Sequence, residues 1–317
     1  MFSFIKWLQA SLSRLKQNKG LWFTTLSVLS SSGILISMYL INTMTTNVAH
    51  QTYMEEHRTD INHLDSLLMH EYDSLINIAS ILAIHPEVAN AINNKKDKQL
   101  KTLLKQAQTA INKNANISPV TIKFYSKDHE IEHSENIDIA KLIIETDQSV
   151  SGIVVNLDGV RILGMVPVID KNVTIGTIEV TNSIHSLKGD FERVGKEFTF
   201  LVTTQQLVHI DLEHKQGSYK KINDEYSVAF HNYDSSFYIN AQKLNFDELK
   251  REKYKTDSFY YTTYDNITDL NGRMVGIALI GEGSDNANSF VKITQNMINS
   301  VTTVALGLVI SLILFMF

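Results

Sequence analysis

The sequence predicts an α+β fold: a long helix leaving one apolar stretch, two strand-rich modules, and a closing helix that enters a second apolar stretch. Three observations carry this. Leu21 to Ile41 holds no charged residue. As a helix rising about 1.5 Å per residue, that stretch reaches roughly 31 Å, the thickness of a bilayer's hydrocarbon core. No charged side chain follows Lys292, and Val301 to Phe317 is almost wholly apolar. Between the two stretches, strand-like runs bounded by turn residues form two series that end alike.

The layout predicts a hairpin through one membrane. Lys6, Arg14, Lys16 and Lys19 precede the first stretch with no acidic residue among them, which places residues 1–20 in the cytoplasm. Residues 21–43 then form the first transmembrane helix, residues 44–298 face the periplasm, and residues 299–317 return as the second span. The first apolar run is longer than the core of a signal peptide and no A-x-A cleavage site follows closely, so it reads as an uncleaved anchor; a signal peptide with an extended leading region is the rival. Phe317 still lies in the second span, so output is expected from a cytoplasmic partner or from a further domain.

Composition narrows the class. The 317 residues are 44% hydrophobic and 20% charged with three prolines, which fits a folded chain. A net charge of −5 argues against nucleic acid as a partner. The absence of cysteine excludes disulfide frameworks and thiolate metal sites.

Residues 44–84 lack glycine and proline and read as one helix continuing the first span. Its apolar stripe runs through Ile61, Leu64, Leu68, Leu75, Ile78 and Leu82, with Glu71 interrupting. The stripe packs against its own domain or forms a dimer seam. His85-Pro86 ends the helix, because the residue before proline is pushed out of the α region. Helices follow at Glu87–Asn93 and Lys98–Asn112, a strand at Val120–Tyr125, and a helix at Ile139–Thr146. Strands at Gly152–Asn156, Val160–Val168 and Thr174–Thr181 then form an antiparallel meander, turning at Asp170-Lys171-Asn172. Ser183 caps a helix reaching Lys196. The second series has strands at Phe198–Thr203, Tyr226–Phe230 and Phe237–Asn240, a helix at Phe246–Tyr254, and strands at Ser258–Tyr264 and Met274–Ile280. A final helix runs from Ser284 into the second span. Residues 85–196 form a membrane-distal module, 197–284 a membrane-proximal one, and 285–298 an exit helix.

The modules end in related hairpins. V-I-D-K-N-V-T-I-G-T-I-E-V (Val168–Val180) matches I-T-D-L-N-G-R-M-V-G-I-A-L-I (Ile267–Ile280) once Gly272 is treated as an insertion. Asp170 then falls on Asp269, Asn172 on Asn271 and Gly176 on Gly276. Asp and Asn suit the tight turn, and the strand glycine permits a bulge or a close backbone approach. With the long helix before them and the second span after them, these modules resemble a bacterial double Cache sensor, a tandem PAS-like periplasmic domain found in chemoreceptors, sensor kinases and cyclic-dinucleotide enzymes. Asp158–Val180 is the most family-like stretch, and the second module lacks a proline where the first has Pro167. The resemblance implies two PAS-like modules, the membrane-distal one binding a small molecule.

Arg161, Leu163 and Met165 share one strand face, upstream of Pro167, and a guanidinium there suits a carboxylate ligand. Lys123 and Tyr125 share a face of their own strand and could complete the pocket; a solvent-facing sheet surface is the alternative for all of these. Lys123, Tyr125, Arg161, Met165 and Pro167 are therefore the candidate ligand-binding residues. Eleven histidines include the pair His129/His133, the helix positions His57, His63 and His70, and the polar group His209, Asp211, Glu213 and His214, but none has metal-ligand spacing, so no metal is expected. The aromatics Phe259, Tyr260, Tyr261 and Tyr264 suit sheet packing or a second pocket. No hydrolase, nucleotide-binding or kinase signature occurs, so an enzyme and a cofactor are not expected. The reading is a dimeric inner-membrane receptor for an amino acid, amine or carboxylate; the alternative is an accessory membrane protein that binds a protein partner.

Overall fold

The computed structural model describes residues 19–114, 119–127, 136–156, 159–208, 219–229, 235–257, 259–284 and 290–316. The basic residues Lys6, Arg14 and Lys16, the pair His129/His133 and the group His209, Asp211, Glu213 and His214 lie outside them.

Helix α1 runs unbroken over Lys19–Ala83 and contains the first apolar stretch. Helix α9, Phe290–Met316, contains the second. Among the described residues, no single helix is long and apolar enough to cross a membrane. Two compact units partition the chain: residues 1–55 with 286–317, and Glu56–Asp285.

The Glu56–Asp285 unit holds two antiparallel sheets. The first contains β1 (Thr121–Ser126), β2 (Val150–Asn156), β3 (Gly159–Asp170) and β4 (Val173–Ser183) in the order β1-β4-β3-β2. Helices α2 (Pro86–Asn93), α3 (Asp97–Asn114) and α4 (Ile137–Thr146) accompany it. A 3₁₀ turn, Ile184–Leu187, and α5, Lys188–Arg193, lead to the second sheet, and Ser183 Oγ accepts from His185 N at the start of that turn. The second sheet contains β5 (Glu197–Thr203), β6 (Tyr219–Lys221), β7 (Tyr226–Ala229), β8 (Tyr254–Thr256), β9 (Tyr260–Thr268) and β10 (Met274–Gly283), ordered β6-β7-β5-β10-β9-β8. Its helices are α6 (Thr204–Leu207), α7 (Ser235–Lys243) and α8 (Phe246–Glu252). Phe237–Asn240, expected as a strand, lies inside α7, where Phe237, Tyr238 and Ala241 bury against the sheet at 3–4 spacing. Tyr254, expected to end a helix, belongs to β8.

The second sheet repeats the first: β5-β10-β9-β8 corresponds strand for strand to β1-β4-β3-β2. The register fixes the correspondence residue by residue. Gly176 pairs with Ser126, and Gly276 with Val202. Each glycine admits a phenylalanine ring, since a Cβ would stand 2.5 Å from Phe124 Cζ at Gly176 and 2.6 Å from Phe200 Cζ at Gly276. Each final hairpin also carries a register shift, at Val168/Ile169 and at Met274/Gly276. The turns are built differently. Lys171 and Asn172 both take positive φ in the first, whereas in the second Gly272 does so and Asp269 Oδ1 accepts from Asn271 N and Arg273 N.

One core joins α1 to both sheets. Leu64, Leu68, Leu75 and Ala79 pack with Ile162, Ile178 and Val180 of the first sheet and with Phe198, Phe200 and Ile280 of the second. The apolar stripe is thus spent on the chain's own domain. Glu71, the interruption, accepts a hydrogen bond from buried Asn182 Nδ2 at 3.2 Å. Gly164 sets the helix-to-sheet spacing: a Cβ there would stand 2.8 Å from Leu75 Cβ and from Ile76 N.

Candidate functional site

The face of the first sheet turned away from α1 carries the candidate site. Antiparallel register places Lys123, Glu179, Met165 and Val150 in one row across the four strands. Tyr125, Thr177 and Pro167 form the next row. Four of the five residues expected from sequence, Lys123, Tyr125, Met165 and Pro167, therefore surround Glu179. Arg161 shares their face but stands in the row of Val154 and Ser183. At about 3.3 Å per residue it lies roughly 13 Å along the strand from the Glu179 row.

Glu179 is the residue that sequence reasoning missed. It is fully buried. Its Oε2 accepts from Tyr125 Oη at 2.6 Å and from Asn136 Nδ2 at 2.9 Å. Its Oε1 has no hydrogen-bond partner among the described residues, and neither has Thr177 Oγ1, two residues away on the same face. No ion pair neutralises this carboxylate among the described residues. A buried carboxylate with one oxygen unserved is costly, because its lost hydration is only partly replaced.

The duplicated module shows that the fold does not require this charge. Glu179 corresponds to Leu279, Thr177 to Ile277, Tyr125 to Leu201 and Lys123 to Thr199, by the shared register on Gly176 and Gly276. In the second module Leu201, Ile277 and Leu279 on that face pack against Phe237, Phe246 and Leu249, beside buried Thr199 and an Asn240–Thr262 hydrogen bond. The first module has placed Glu179, Thr177 and Tyr125 where its copy has the aliphatic Leu279, Ile277 and Leu201. A comparison of the two hairpin sequences already aligned Glu179 with Leu279, and that mismatch was the signal available.

Helix α4 covers the site. Ala140 and Ile143 bury against Tyr125, Val154, Leu163 and Met165. Asn136 holds the N-cap position of α4 yet makes no side-chain cap, because its amide is turned to Glu179. Leu270, from the turn between β9 and β10, joins the same cluster, and its N–H donates to Ile153 O at 3.1 Å. The matched D-x-N turn of the second module therefore touches the site in the first.

A second polar cluster lies between α1 and the second sheet. Lys196 Nζ donates to Glu56 Oε1 and to Asp60 Oδ1, and Asp60 is 2% exposed. Burial raises the Asp60 carboxyl to about 6 against the pull of Lys196, with Glu56 and Glu282 adding to the rise. Burial alone would lower the Lys196 ammonium, but Asp60 and Glu56 overcome it and leave it raised. Tyr261, on β9 facing the same cluster, is pushed well above its ordinary value by burial and by Asp60 and Glu56. His57 Nδ1 meets Thr263 Oγ1 at 2.5 Å, and burial lowers its imidazole. Phe259, from the aromatic run, is exposed, whereas Tyr261 and Tyr264 are core residues on opposite faces of β9.

No protein-family model and no curated protein matches the chain. Solved sensor domains are similar to it in structure. The sensor domain of the V. cholerae histidine kinase DctB matches 74% of this chain and 98% of its own, at 12% identity and a TM-score of 0.41. The ligand-binding domain of the Pseudomonas fluorescens chemoreceptor CtaA, in complex with L-leucine, matches 74% and 98%, at 11% identity and 0.36. The ligand-binding domain of Mlp24 with asparagine matches 82% and 99%, at 11% identity and 0.35.

Proposed function

We propose that this chain is a two-pass membrane receptor whose first module binds a small organic cation, with an ammonium group placed at Glu179. The single observation that carries this reading is a fully buried carboxylate whose Oε1 has no partner among the described residues, where the duplicated module has leucine. An ammonium at Glu179 Oε1 would supply the missing donor and the missing charge together, and Thr177 Oγ1 lies ready to accept a further donor. Met165, Leu163 and Ile143 would contact the apolar part of the ligand. Entry requires the N-terminal end of α4 to move, because Asn136 closes over the carboxylate. The apolar stretches at residues 21–43 and 299–317 support an inner-membrane location with the modules in the periplasm, and α1 is the element common to the first span and both modules.

A ligand shifts such a receptor only through unequal affinity for two states. The two states proposed are α4 closed on the sheet and α4 lifted, and Leu270 carries the difference to the second module because it packs in the same cluster. The test is a thermal-shift screen of the full chain in detergent against amines, amino acids, organic acids and nucleobases. An amine or amino acid should raise the melting temperature, and Glu179→Gln should abolish the rise. A shift produced only by organic acids, or one preserved in Glu179→Gln, would refute the assignment.

A further inference from the structure

We infer that Leu270, carried by the second module, sets the length of the aliphatic chain that a ligand of the first module can hold; the inference rests on the ammonium site at Glu179. Leu270 stands in the turn between β9 and β10. It nevertheless packs with Val154, Leu163 and Met165 of the first sheet and with Ala140 and Ile143 of α4. Its N–H donates to Ile153 O of β2 at 3.1 Å. Asp269 stiffens the turn that presents it, with Oδ1 accepting from Asn271 N at 2.8 Å and from Arg273 N at 2.9 Å. Leu270 lies directly against Gly152. A Cβ at 152 would stand 2.2 Å from Leu270 Cδ2 and 2.7 Å from its Cγ, so the leucine fills the space that any other side chain there would need.

Both halves of this contact depart from their copies. In the aligned D-x-N turns Leu270 corresponds to Lys171, which is exposed. Gly152 pairs with Leu163, and Leu163 with Thr181. At the matching register of the second sheet, Lys255 pairs with Thr262, and Thr262 with Gly281. Gly152 therefore corresponds to Lys255, whose Nζ reaches Glu248 Oε1 at 2.7 Å. Neither the turn nor the strand requires a leucine or a glycine at these positions, so the pair serves the first module's site. Gly152 lies one same-face row along from Glu179 and two strands across, which separates their backbones by about 12 Å. With a hydrogen bond at the carboxylate and a van der Waals contact at Leu270, the room left suits a chain of about four carbons. Leu163 and Met165 form its floor, and α4 its roof. Leu270 is the end wall, and the ligand class is a short-chain primary amine.

The test is isothermal titration calorimetry of the full chain in detergent with ethylamine, butylamine and hexylamine. Wild type should bind butylamine about tenfold more tightly than ethylamine, since two more methylenes are buried, and should bind hexylamine more weakly than butylamine. Leu270→Ala should reverse the last step, with hexylamine about fivefold or more tighter than butylamine. Lys171→Ala, in the copied turn, should keep the wild-type order. The contact is checked without ligand: Gly152→Ala should lower the melting temperature of wild type but not that of Leu270→Ala. An unchanged order of the three amines in Leu270→Ala, or an equal loss from Gly152→Ala in both backgrounds, would overturn the end wall and leave the ammonium site standing. Binding of none of the amines to wild type or to Leu270→Ala would refute the Glu179 site, and this inference with it.

Discussion

Asp60 gives the second module a pH dependence whose sign the structure fixes. In the unfolded chain its carboxyl titrates near 3.8, and in the fold burial raises it to about 6. The folded state therefore holds the proton more tightly, and this group costs stability as pH rises from about 4 to above 6. Two units at about 1.36 kcal/mol each make the cost roughly 3 kcal/mol once Asp60 is fully ionised. Lys196 titrates far above this range and its raised value leaves its contribution constant here. Asp60→Asn removes the titration while Glu56 still accepts from Lys196. The assay is the melting temperature of wild type and Asp60→Asn by circular dichroism between pH 4 and 7.5. At about 2–4 °C per kcal/mol for a unit of this size, wild type should lose roughly 6–12 °C relative to the variant across that range. A difference between the two that stays flat or moves the other way would refute the reasoning.

Three further outcomes follow from packing and hydrogen bonding. Gly164→Ala forces a Cβ to within 2.8 Å of the α1 backbone and should cost about 1–3 kcal/mol in denaturant titration, whereas Gly189→Ala, with nothing within 4 Å, should leave the midpoint nearly unchanged; equal effects would contradict the close approach. Phe191, stacked on Phe198 at 5.1 Å and edge-on to His63 at 5.2 Å, should cost about 3–5 kcal/mol on truncation to alanine, and a loss below 1 kcal/mol would show that the joint between modules is loosely packed. Tyr125→Phe removes one of the two donors to Glu179 Oε2 and should destabilise by about 1–3 kcal/mol, an effect that should vanish in a Glu179→Leu background, which has no acceptor; persistence there would place the tyrosine's role elsewhere.

Much of the fold was legible because the local signals agreed with the tertiary outcome. The missing glycine and proline before His85-Pro86, the Asp-Asn turns and the strand glycines each had one physical use, and the structure uses them so. Phe237–Asn240 misled because an apolar run of that length suits a strand or a buried helix equally, and only the contacts of Phe237 and Ala241 with the second sheet decide it. The short strands β6 and β8 carry weak patterns, since three residues are too few to show an alternation, even though each pairs with the strand next in sequence. At the site, strand alternation correctly grouped Lys123 with Tyr125 and Arg161 with Met165. It could not supply the register that sets Arg161 apart, nor rank Glu179 above its neighbours. Glu179 sits between Ile178 and Val180, and a lone acid in an apolar strand looks solvent-facing until the helix that covers it is known.

The most direct measurement of the central claim is a crystal structure of the chain with the amine that gives the largest thermal shift. The account predicts the ligand's ammonium within about 2.7–3.1 Å of Glu179 Oε1, enclosed by α4. A ligand seated in the second module, or one whose cation stands away from Glu179, would contradict it.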